Sequence, residues 1–200
     1  MADTDKLVWI DLEMTGLEPD RHVIVEIACI VTDSELNPLD DGVSYVVSAT
    51  EAELAEMDDF VVNMHTVSGL LPEIPQGLSL RDAEQLVLTY VQTHVPEARK
   101  APLAGSSVYV DRGFLSKHMP ALDQHLHYRI VDVSSVKELT RRWYPRVYFA
   151  APAKVGNHRA LADIADSIKE LAYYRSAVFV PGDGPDTKTA RTIVSDFTAK

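Results

Sequence analysis

Asp11 and Glu13 stand two residues apart in Trp9–Gly16, WIDLEMTG, inside an otherwise apolar run. If that run is a strand, side chains at i and i+2 share one face, ~6–7 Å apart. Two carboxylates on one sheet face suffer desolvation and mutual repulsion together. No lysine or arginine stands beside them in the sequence. A divalent cation is the economical partner, because hard ions take carboxylate oxygens. Taken alone, the D-x-E pair is better explained by a strand end that frays into water.

Three more residues carry chemistry at suggestive places. Asp111 lies in SSVYVDRGFL, and His158 and Asp163 lie in GNHRALADI with an H-x4-D spacing. Each has an ordinary explanation: a first-turn acid at a helix dipole, a loop histidine beside Gly156-Asn157, a solvated helix aspartate.

The elements that must position these groups can be read from pattern. Lys6–Met14, His22–Asp33 and Gly42–Ser48 are strands rich in β-branched residues, joined by short turns that favour an antiparallel meander. Glu51–Met57 and Met64–Leu71 read as short helices. Ser79–Val95 is a longer one, with Ser79 as N-cap and an apolar stripe through Leu80, Ala83, Leu86, Val87 and Tyr90. Pro102–Ser107 and Arg129–Val133 are further strands, and Asp111–His118 is a helix. Ser134–Tyr144 is a helix that Pro145 stops, and Arg159–Arg175 is the last clear one. Residues 181–200 read as a flexible C-terminal extension with one helical turn, leaving residues 1–180 as a single domain. Strands followed by alternating helices and strands indicate an α/β domain around a mixed sheet.

Bulk properties narrow the function further. The chain has 200 residues, 46% hydrophobic and 24% charged, with a net charge of −11. So acidic a chain argues against a long nucleic-acid groove, which needs a basic face. A small anionic ligand held by metal ions and local arginines remains compatible. The basic run Lys137, Arg141, Arg142, Arg146 fits a solvated helix face plus a dimer contact better than a nucleic-acid patch. Tyr173 and Tyr174 suit core or interface equally. Cys29 is the single cysteine, no apolar run approaches the ~20 residues of a membrane helix, and the N-terminal residues lack a signal peptide's features. A cytoplasmic protein without membrane contact is the expectation.

In combination, WIDLEMTGL, VDRGFL and NHRALADI resemble the DEDDh family of 3′→5′ exonucleases. The segments MDDFVVNMHTVSGL, YRIVDVSSVKELTRRWYP and ELAYYR resemble the branch of that family that degrades very short RNAs. The resemblance runs roughly to Val180. It implies a ribonuclease-H-like α/β fold, a five-stranded mixed sheet flanked by helices. It implies two divalent ions per site, Mg²⁺ or Mn²⁺, since carboxylate-only ligands disfavour structural zinc. Asp11, Glu13 and Asp163 would hold one ion, Asp11 and Asp111 the other, and His158 would be the general base. Ser107, Arg129 and Ser134 would cap a 5′-phosphate, with Tyr128 supplied by the other subunit of a homodimer. Leu17 would wedge between bases and His65 would contact substrate. Phe60, where the family often has tryptophan, still offers a stacking face. The substrate would be short RNA, dinucleotides above all. A relative trimming longer RNA or DNA and a catalytically silent module on the same fold are the competing readings.

Overall fold

The structure is a computed structural model, and it describes residues 6–153 and 158–198. Leu7–Met14 (β1), Ile24–Thr32 (β2) and Val43–Val46 (β3) form the antiparallel meander, and Pro102–Gly105 (β4) and His127–Asp132 (β5) add two parallel strands. The sheet order is β3-β2-β1-β4-β5, mixed and five-stranded, so β1 is central and β5 is an edge.

Alternation along β1 splits the core into two layers. Val8, Ile10 and Leu12 pack with Leu80–His94 (α3), Tyr109–His118 (α4) and Pro120–His125 (α5), through Val87, Phe114 and Leu122. Trp9 faces the opposite way with Ala28 and Ile30. That face is covered by Ala160–Val178 (α8), through Ile164, Ile168 and Leu171, and by Val133–Trp143 (α6). The face turned towards α8 is apolar at Trp9 and then becomes acidic at Asp11 and Glu13.

Several boundaries differ from the sequence reading, each for a local reason. The first helix is only Glu51–Leu54 (α1), where Thr50 and Glu53 make a reciprocal capping box. The next begins earlier, at Asp59–Val67 (α2), because the Asp58 side chain accepts from Val61 N. Pro145 ends α6 but also opens a short helix, Pro145–Phe149 (α7), since proline suits the first helical turn. The C-terminal segment contains a three-turn helix, Thr187–Thr198 (α9), where a single turn was expected; Asp186 accepts from Thr189 N at its start. Ser79 caps α3 as read, accepting from Asp82 N at 3.1 Å. The pair Gly156-Asn157 lies outside the described residues.

Arg141 and Arg142 both pair with Glu138 on an exposed helix face, while Lys137 pairs with the buried Glu170. Tyr174 is fully buried, its hydroxyl donating to Glu170, whereas the Tyr173 hydroxyl donates to Val147 O at the protein's edge of α7.

Phe114 is fully buried one turn beyond Asp111 and ties α4 to the sheet. Phe114→Ala should therefore cost about 3–5 kcal/mol of unfolding free energy, read as a lower urea midpoint at unchanged slope.

Candidate active site

Parallel pairing of β1 with β4 runs only through Val8↔Leu103 and Trp9↔Ala104. Beyond it the two strands part and leave β1 amides without a sheet partner. The first turn of α4 fills that gap. Asp111 is buried there, and one carboxylate oxygen accepts from Leu12 N at 3.0 Å. On the α8 face, Asp11, Glu13 and Asp163 offer ligand oxygens that all lie within 4.8 Å of one another. Asp163 reaches them from the first turn of α8. The structure thus brings three of the predicted carboxylates into one cluster and sets Asp111 beside it, hydrogen-bonded to the strand.

The electrostatics follow from this crowding. Burial, then the charges of Asp163, Glu26 and Asp111, push Glu13 from 4.5 up to about 8, and Arg159 opposes them. Burial likewise raises Asp111 to about 7 against the Leu12 N–H bond. Glu13 and Asp111, so placed, favour the protonated form until a cation offsets their charge. The donor set is all carboxylate oxygen, and the nearby Arg159 guanidinium is engaged by Glu26 and Glu73. These residues fit a hard divalent ion.

Around the cluster the predicted residues fall into distinct places. Thr15 closes the loop after β1: its N–H donates to Val23 O and its hydroxyl accepts from Val23 N, both at 3.0 Å. His22 folds under this loop, accepting from Glu18 N at Nδ1. A Cβ on Gly16 would come within 2.5 Å of the His22 ring, so a larger residue there would push that ring aside. The turn pushes Leu17 outward, 72% exposed. Leu17 lines a cleft of about 750 Å³ with Glu13, Phe60, Val61 and Met64. Ser107, in a left-handed conformation at φ 54°, donates from its hydroxyl to Ser134 Oγ at 3.0 Å, and its N–H donates to Asp132. Arg129 and Tyr128 are exposed on edge strand β5, the guanidinium 5.5 Å from the Tyr128 ring centre. His158 is exposed, close enough to His65 for its charge to act on that ring.

His65 has a structural partner of its own. It is fully buried beneath the cleft, not on its surface. Its Nε2–H donates to Met14 O at 2.9 Å, and Nδ1 lies 3.9 Å from Glu13 Oε2. Burial lowers its pKa. The ring supports the end of β1 from beside Glu13.

The sequence reading also passed over Glu26, Glu73 and Arg159. Glu26 stands directly opposite Glu13 in the β1/β2 register and is 1% exposed. A lone acid in IVEIACIVT was the same kind of signal as D-x-E, and it could have been followed.

With this geometry in view, comparison with known proteins is decisive. The family described as Exonuclease (RNase_T) matches residues 8–171. The chain is 60% identical over 191 residues to the oligoribonuclease of Streptomyces avermitilis, covering 96% of each. It is 58% identical over 195 residues to that of Streptomyces griseus, covering 98% of this chain and 97% of the other. The corresponding figures for Leifsonia xyli subsp. xyli are 56% over 203 residues, 100% and 98%. The chain belongs to the oligoribonuclease family. Among solved structures, exonuclease I of Methylocaldum szegediense superposes with a TM-score of 0.63 at 19% identity, over 87% of this chain and 41% of that one. The zinc-bound E. coli exonuclease I–ssDNA complex gives 0.68 at 13%, over 88% and 41%. The oligoribonuclease-family chain spans about two fifths of those longer proteins and shares their fold.

The raised carboxyl groups make a signed prediction. An acid whose folded pKa exceeds its unfolded value binds its proton more tightly when folded. Its stabilisation is complete below the unfolded value and is lost as pH rises through the folded one. For Glu13 that window runs from 4.5 to about 8. Metal-free protein should lose melting temperature across it. Millimolar Mg²⁺ should restore about 5 °C or more at pH 8.5 and far less at pH 5.5, because only ionised carboxylates take the ion. Equal Mg²⁺ shifts at both pH values would contradict the assignment.

Proposed function

We propose that this protein is a metal-dependent 3′→5′ exoribonuclease that degrades very short RNAs, dinucleotides above all, to nucleoside 5′-monophosphates. The observation that carries the reading is the cluster of Asp11, Glu13 and Asp163 in a chain of the oligoribonuclease family. Asp11, Glu13 and Asp163 would hold one divalent ion, and Asp11 and Asp111 a second. When bound, Mg²⁺ or Mn²⁺ supplies Lewis-acid stabilisation of the phosphodiester's developing charge and a water of lowered pKa.

The chain's own groups divide the remaining work. His158 accepts a proton from the attacking water at a ring nitrogen. Leu17 and Phe60, exposed along the cleft, offer apolar surfaces to the two bases. The paired hydroxyls of Ser107 and Ser134 and the Arg129 fork receive a terminal 5′-phosphate. That cap rewards a short substrate, since a longer strand has an internal phosphodiester at the same place. Tyr128 would close the cap across a homodimer. The exposed Tyr128, Ile130, Leu139 and Trp143 on β5 and α6 support such an interface. No helix among the described residues is long and apolar enough to cross a membrane, and we place the activity in the cytoplasm.

Turnover of a 5′-phosphorylated RNA dinucleotide should exceed that of a seven-nucleotide RNA and its DNA counterpart in Mg²⁺, with Asp11→Ala as the inactive blank. Preference for the longer strands would make this a general trimming exonuclease. Arg129→Ala should weaken dinucleotide binding by about tenfold or more, and unchanged affinity would remove the cap. His158→Ala should bind the dinucleotide normally and lose about 10²–10⁴ in kcat, the range of a general base.

A further inference from the structure

A buried ionic bridge lies behind His158. Glu26, at the centre of β2, holds the Arg159 guanidinium through Nε and Nη2 at 3.0–3.3 Å. Its Oε2, which also takes the Nε–H, accepts from Ala160 N at 3.1 Å, the first amide of α8. Ser44 Oγ adds a third donor at 3.1 Å. The far side of the same guanidinium reaches Glu73, through Nη1 at 3.3 Å and Nη2 at 2.9 Å. One planar fork therefore ties β2, the start of α8 and the segment before residues Ile74–Gln76 together.

The bridge is an expensive way to hold a helix. Glu26 sits opposite Glu13 and beside apolar residues, where an apolar side chain would cost less than a desolvated carboxylate. Its immediate neighbour supplies a reason. His158, directly before Arg159, is in the left-handed region at φ 54°, uncommon for a residue with a Cβ though histidine enters it more readily than most. Arg159 itself is extended, at φ −122° and ψ 123°, and its carbonyl accepts the first helix bonds, from Ala162 N and Asp163 N. Fixing the arginine at both ends fixes the backbone on which His158 turns outward.

Resting on the general-base reading above, we infer that Arg159, clamped between Glu26 and Glu73, is a positioning residue that aims His158 at the attacking water. The fork, and not merely the charge, is what matters, since a lysine ammonium cannot engage two carboxylates in one plane. Glu26 would still cap Ala160 N in a lysine variant, so α8 and Asp163 stay where they are.

Arg159→Lys should lower kcat on a 5′-phosphorylated RNA dinucleotide by about tenfold or more, with KM within about threefold. Calorimetric Mn²⁺ affinity should stay within about threefold of wild type, which a displaced α8 would not allow. In metal-free protein, amide exchange across residues 158–161 should quicken by about tenfold, with later turns of α8 unchanged. In a His158→Ala background the same substitution should cost no more than about twofold, because the arginine acts through the histidine. Glu73→Gln, at an exposed carboxylate that the fold tolerates, should give a smaller kcat loss of about threefold with the same dependence on His158. An equal loss in both backgrounds, or an unchanged kcat in Arg159→Lys and Glu73→Gln, would overturn the positioning role. Near-normal kcat in His158→Ala would instead overturn the general-base reading on which it stands.

Discussion

Repulsion among carboxylates organises this molecule. Asp11, Glu13 and Asp163 converge at the end of the central strand, with Asp111 and Glu26 close by. No small domain assembles such a group unless the rest of the fold forces it. Here the force is apolar packing a few ångströms away. Trp9, Ala28 and Ile30 lock β1 and β2 against Ile164 and Ile168 of α8. The contiguous stretch of that same layer then has to carry the acids. Burial of apolar surface thus offsets an electrostatic arrangement that is unfavourable by itself, and the arrangement becomes a trap for cations.

Supports around the cluster all restrain backbone. Asp111 satisfies a β1 amide where the parallel pairing with β4 gives out. His65 holds the Met14 carbonyl from below. Thr15 and His22 close the loop that presents Leu17. The Glu26–Arg159–Glu73 bridge holds the approach to α8. Ligands are placed to fractions of an ångström only when their own backbone cannot drift, and each of these contacts removes one direction of drift.

Much of this was legible in the sequence because it follows from short-range rules. The i, i+2 geometry of a strand put Asp11 and Glu13 on one face, and alternation gave the meander and the two later strands. The Ser79 cap and the apolar stripe after it gave α3. Pairing across long sequence distance was not legible. Nothing local says that Glu26 meets Arg159, or that Arg159 then meets Glu73, since those contacts exist only once β2 and α8 have packed. The burial of His65 was not legible for the same reason, since its ring meets Met14 O and Glu13 only once α2 has packed on the end of β1. The resemblance to a family of exonucleases pointed to the carboxylates that the fold brings together, but it did not show that His65 is buried beside them.

Every residue of β2 is buried, on both faces. Hydrophobicity therefore does little to tell that strand how far to slide along β1. A slip by one residue would trade apolar side chains for apolar side chains, yet it would turn Glu26 into the opposite layer, among Val87 and Phe114. The polar side chains set the alignment: Glu26, which must find Arg159, and Thr32, whose hydroxyl accepts from the Trp9 indole at 3.0 Å. Misaligned hairpins of this chain should be compact and greasy but unable to close over α8. The charged bridge then doubles as a proofreading mark for folding, rejecting registers that the hydrophobic effect alone would accept.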